Sequence, residues 1–136
     1  YQAQKVVENG KLALKEGGIL IMVSACSAGV GNDAFLKLME EESSPEAVID
    51  KAQNSYRLGY HKAARLAEVQ TWAEIWAVTG IDDRIVRSAF MKPLPGIQVA
   101  VEAAIKARPS GKMWVLMDAG VTVPDYAGDS VKSEAR

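Results

Sequence analysis

Five consecutive apolar residues, Ile19-Leu20-Ile21-Met22-Val23, follow the pair Gly17-Gly18 and run into a stretch of small residues, 24–32. A half-buried strand would alternate apolar and polar residues, and a surface helix would show a 3.6-residue stripe. An unbroken run of this length marks a strand buried on both faces, which is the pattern of a parallel sheet covered by helices. Two further segments read the same way: residues 74–79, around Ile75-Trp76-Ala77-Val78, and residues 113–117, Met-Trp-Val-Leu-Met. Stretches between them read as helices. Residues 1–15 carry Ala3, Val6, Val7, Gly10 and Leu14 on one side, with Gly17-Gly18 as the stop. Asn32 or Asp33 can cap a helix over 33–42. Ser44 caps one that starts with Pro45 and runs to about Tyr56. Another starts near Tyr60 with Ala63, Leu66, Ala67 and Val69 inward. Asp82-Asp83 caps a short helix through Arg87. Pro93 and Pro95 mark a loop, and a helix with Ile97, Val101, Ala104 and Ile105 on its core stripe ends at Pro109 and Gly111.

Strands separated by helices predict an α/β fold, a Rossmann-like three-layer sandwich with a mostly parallel sheet and helices on both faces. Residues 1–124 read as a single domain and 125–136 as a flexible tail. In such folds ligands lie beyond the carboxyl ends of the strands, here 24–31, 79–83 and 118–122. The chain has 136 residues and a formal net charge of −1. That balance gives no electrostatic argument for nucleic acid or a membrane surface. No apolar run approaches the roughly 18 residues of a membrane-spanning helix. Cys26 is the single cysteine, which excludes an internal disulfide and a cysteine-rich zinc site. These points favour a cytoplasmic origin.

Several constellations could carry chemistry. At the amino end, Tyr1, Gln2 and Lys5 share one side of the expected first helix. They place a phenol, an amide and an ammonium where free N–H groups and the helix dipole suit a carboxylate or phosphate. A chain opening on such residues is expected to be part of a larger protein, within its active-site wall. The loop Ser24-Ala25-Cys26-Ser27-Ala28-Gly29-Val30-Gly31 resembles an anion-binding strand–loop–helix turn, with Cys26, Ser27, Gly29 and Gly31 as candidates. It lacks the third glycine of a dinucleotide fingerprint and the Lys-Ser/Thr of a P-loop. A tight turn without ligand explains it equally. Cys26 reads as a small buried thiol, and as a nucleophile only with His61, the one histidine, as base. His61 reads as a surface or capping residue or as a lining of the same cleft as Tyr1. Trp72, Trp76 and Trp114 read as core, and Asp82-Asp83 as a helix cap.

The order of these features resembles the C-terminal domain of the nickel-pincer lactate racemase family. Tyr1-Gln2-x-x-Lys5 comes first, then Gly17-Gly18 before the strand, Cys26-Ser27-x-Gly29-x-Gly31, Gly59-x-His61-Lys62-Ala63, and Asp118-Ala119-Gly120-x-Thr122-Val123-Pro124. The resemblance implies the C-terminal part of a two-domain racemase or epimerase of 2-hydroxy acids. In that family a hydride moves between the substrate's α-carbon and a nickel-pincer nucleotide. It also implies that a missing N-terminal domain holds the cofactor, the nickel ligand and the catalytic histidines. No metal or cofactor is then expected on this chain, which alone is expected to be inactive. What carries over is substrate binding by Tyr1, Gln2 and Lys5 in an interdomain cleft.

Two departures stand out. Lactate-acting members have a tryptophan near the start of the helix where this chain has His61. Acidic residues often flank the cysteine in relatives, and here Ala25 and Ala28 do. These put lactate itself in doubt and make His61 a candidate for a second carboxylate or hydroxyl of a larger 2-hydroxy acid. An exposed interdomain surface could also pair two copies as a homodimer. The competing reading is an anion- or nucleotide-binding or interaction module without catalysis.

Overall fold

The computed structural model describes residues 3–125. Its elements run α1 (Gln4–Gly10), a 3₁₀ turn (Lys11–Ala13), β1 (Ile19–Ser24), α2 (Asp33–Glu41), α3 (Pro45–Asn54), α4 (Tyr60–Gln70), β2 (Glu74–Thr79), α5 (Asp83–Ser88), β3 (Lys92–Pro93) and α6 (Ile97–Ala107). The sheet is parallel throughout, in the order β1-β2-β3. Leu20 pairs with Ile75 and Met22 with Ala77, so these four side chains share one face. There they join Val7 of α1, Phe35 and Leu38 of α2, Leu66 of α4 and Val86 of α5 in the main core. Trp76 points to the other face and is buried, as are Ala100 and Ala104 of α6, which contacts both β1 and β2. Helices thus cover both faces, and the expected α/β architecture is present. Leu38 and Ile75 are almost fully buried, and truncating either to alanine would cost about 2–5 kcal/mol.

Local chemistry explains most boundaries. The Asn32 side chain accepts from Phe35 N at 2.8 Å and starts α2. Ser44 accepts from Ala47 N and, with Pro45 in the first turn, starts α3. Asp82 caps α5 through Arg84 N.

Two expectations are corrected. The first helix ends at Gly10 rather than near Lys15. Gly10 lies so close to β1 that a Cβ there would sit 2.9 Å from Leu20 Cδ1, and after the 3₁₀ turn Leu14 is extended. Residues 113–117 form no strand. The third strand is Lys92–Pro93, in the stretch read as a loop. A proline there removes no ladder bond, because an edge strand can turn that position outward, and Leu94 N donates to Ala77 O at 2.9 Å. Ends 24–31 and 79–83 therefore lie at strand termini, and 118–122 does not. Tyr1, Gln2 and 126–136, the larger part of the expected tail, lie outside the described residues.

Candidate functional site

The starts of α1, α2 and α4 are joined at the carboxyl end of β1. Gln4, buried on α1, donates from Nε2 to the main-chain carbonyl of Lys62 at 2.8 Å, which ties α1 to α4. Gly59, the residue before α4, is buried with φ 104°. A Cβ at Gly59 would overlap the side-chain oxygen of Asn32, so the start of α4 is seated on the cap of α2. Only glycine supplies both the left-handed backbone and the space. The loops after β1 and β2 are also tied, by Gly80 N donating to Ala25 O at 3.2 Å. Thr79 Oγ1 accepts from Ile81 N at 2.8 Å and closes the turn after β2.

Beneath these loops lies a cavity of about 70 Å³, lined by Ala3, Gln4, Cys26, Val30, Thr79 and Ile81 among others. Gln4 and Thr79, two of the polar residues on its wall, already hold partners in the protein. Its wall is otherwise mostly hydrocarbon, so it suits an apolar group and would penalise an unpaired carboxylate or phosphate.

The candidate residues occupy this end in different ways. Lys5 is exposed, while its neighbours Gln4 and Val7 on α1 are buried, so its ammonium is free to meet an anion from outside the core. His61 is exposed at the second position of α4, next to the Lys62 carbonyl that Gln4 holds. Lys5 and His61 therefore sit on two helix starts that are hydrogen-bonded to each other. Tyr1 and Gln2 lie outside the described residues. Cys26 is half-buried in the left-handed region at φ 49°, and Gly29 and Gly31 also have positive φ. Ser27 is exposed. The N–H of Gly29 donates to Cys26 O at 2.8 Å, so that donor is spent on the turn itself.

Sequence reasoning missed Gln4. The signal was there: a glutamine three residues before Val7 falls on the core side of the first helix. Trp76 is core as expected. Trp114 is 72% exposed, contrary to expectation. Among the described residues, no three of His, Cys, Asp and Glu gather closely enough to hold a metal ion. No described helix is long and apolar enough to cross a membrane.

Comparison with known proteins gives a consistent picture. The family model described as the lactate racemase C-terminal domain matches residues 1–124. A lactate racemase of Thermoanaerobacterium thermosaccharolyticum is 33% identical over 51 residues, which is 38% of this chain and 12% of that protein. The solved structure of the lactate racemase apoprotein from the same organism superposes with a TM-score of 0.71 at 24% identity. That match covers 76% of this chain and 26% of the solved one, so it speaks for the fold. The chain spans well under a third of either relative's length.

Proposed function

Because the chain belongs to the lactate racemase C-terminal domain family, we propose that it forms one wall of a substrate cleft in a larger racemase or epimerase of 2-hydroxy acids. Residues 1–124 act in this reading as one domain. The other wall, the nickel-pincer cofactor and the hydride chemistry belong to the part of the parent outside this chain. The cytoplasmic location belongs to the same reading.

The observation that carries the proposal is the pairing of an exposed Lys5 with a neighbouring helix start that presents His61. A 2-hydroxy acid has a carboxylate and a hydroxyl on adjacent carbons. Lys5 supplies a point charge for the carboxylate, with the Gln2 amide and Tyr1 hydroxyl as additional hydrogen-bonding groups. The role of the domain is orientation. Inversion at a carbon requires that carbon to be held close to its hydride acceptor, and two-point fixing of the carboxylate on a rigid helix does this. His61, in place of an aromatic wall, offers a polar contact to a second carboxylate or hydroxyl and so selects a substrate larger than lactate.

The test uses the full-length parent with its cofactor, offered a panel of single-enantiomer 2-hydroxy acids, with inversion followed by chiral chromatography. Inversion weakened about tenfold or more at sub-saturating substrate by Lys5→Ala is the expected result. Inversion unchanged by Lys5→Ala would remove Lys5 from the site, and absence of inversion across the panel would remove the reaction.

A further inference from the structure

The stretch that follows α6 carries large apolar side chains into solvent. Trp114 is 72% exposed, Val115 76%, Met117 74%, Val121 82% and Val123 61%. Between Met113 and Val123 the only charged residue is Asp118. A tryptophan- and methionine-bearing surface with so little charge has the makeup of an interface core, and solvated surfaces rarely concentrate it. The stretch is also held in place. Asn9 Nδ2 donates to Ala119 O at 2.7 Å, and the Thr122 hydroxyl donates to Met117 O at 2.7 Å. The N–H groups of Val121 and Thr122 both reach Asp118 O. Leu12, 55% exposed, stands three residues after Asn9 and adds an apolar group next to this anchor. The strip therefore meets α1, the helix that carries Lys5, at its last turn.

We propose that this strip is the surface on which the remainder of the parent polypeptide docks, through an apolar, charge-poor face of its own. The proposal rests on the reading of this chain as part of a larger racemase. Two observations select that occupant. The match to the solved relative covers 26% of that protein, which leaves most of a chain of that size outside this domain and available as a partner. The strip is also bonded, through Ala119, to the helix whose exposed Lys5 would face the shared cleft, which puts the interface one helix away from the cleft. The outer edge of β1 is another surface the stretch could cover. The bond from Asn9 holds the stretch against the helix layer instead.

The test is photo-crosslinking in the full-length parent. Benzoylphenylalanine replaces Trp114 in one variant and Val121 in another, and linked peptides are identified by mass spectrometry after irradiation. Links to residues of the same polypeptide outside this chain are expected. Links confined to Ile19–Ser24 would make the stretch an edge strand of its own sheet and overturn the proposal. Links between two copies, or no links at all, would overturn it too. A second variant, Trp114→Asp with Val121→Asp, should speed protease cleavage between the two parts by about tenfold or more, since tenfold is only about 1.4 kcal/mol of docking energy. An unchanged cleavage rate would count against docking. Neither readout needs turnover, so loss of the racemase reading and loss of this interface are told apart.

Discussion

Asn32 serves two neighbours at once: its side-chain oxygen accepts from Phe35 N at 2.8 Å and is the surface on which buried Gly59 rests. A residue that caps one helix and seats another sets the spacing of α2 and α4, and through the Gln4 bond to Lys62 that of α1.

Gly59→Ala should therefore be among the more damaging small substitutions in the chain. The left-handed backbone costs an alanine roughly 1–2 kcal/mol, and the overlap with Asn32 adds to it. Urea unfolding should show a loss of about 2 kcal/mol or more. A loss below about 0.5 kcal/mol would mean that α4 is not seated on this cap.

Asn32→Ala removes the cap without the clash, at a cost of about 1 kcal/mol, and Asn32→Asp should restore most of it. Equal stability of the two variants in thermal unfolding would contradict the capping role.

Replacing Gln4 by methionine keeps the buried volume but deletes the donor to the Lys62 carbonyl. We expect a loss of about 1 kcal/mol, together with faster amide exchange at the start of α4. Unchanged exchange there would show that the two helices are joined by packing alone.

Lys5→Ala acts on the other side of α1. The side chain is exposed and its substitution should leave the melting temperature in place. In the full-length parent it should raise KM for the substrate by about tenfold or more, the scale of one charge-assisted hydrogen bond. Lys5→Arg should recover part of the loss. A large drop in stability instead would give Lys5 a structural role.

His61→Trp tests the departure from the lactate-acting pattern. The position is exposed, so folding should be unaffected. The ratio of kcat/KM for lactate over a larger hydroxylated or dicarboxylic 2-hydroxy acid should rise by about tenfold. A constant ratio would remove His61 from substrate selection.

The layered fold was legible because the apolar run 19–23 marks a strand, although only Leu20 and Met22 of it are buried and Val23 is 46% exposed, and because Asn32, Ser44-Pro45 and Asp82 announce helix starts with their own side chains. The third strand was not. Lys92–Pro93 is too short to carry a pattern, while 113–117 carries a strong strand pattern without a described strand partner. Composition reports that a segment wants to be covered, and it does not report by what. The site was legible in part. The exposure of Lys5 follows from helical spacing, whereas the bond from Gln4 that joins its helix to the one bearing His61 spans 58 residues and had no local signal. The apolar cavity behind Cys26 depends on how three loops approach one another over long sequence separations, and the small-residue stretch 24–32 gave no sign of whether a polar or an apolar space lay beneath it.

The bond from Gln4 ends on the main-chain carbonyl of Lys62, so the side chain of His61, one residue earlier and exposed, takes no part in it. Over evolutionary time residue 61 can drift while the junction persists. An indole and an imidazole at this exposed position would call for no compensating change in the scaffold. A lineage could thus explore new substrates one substitution at a time, each intermediate still folded.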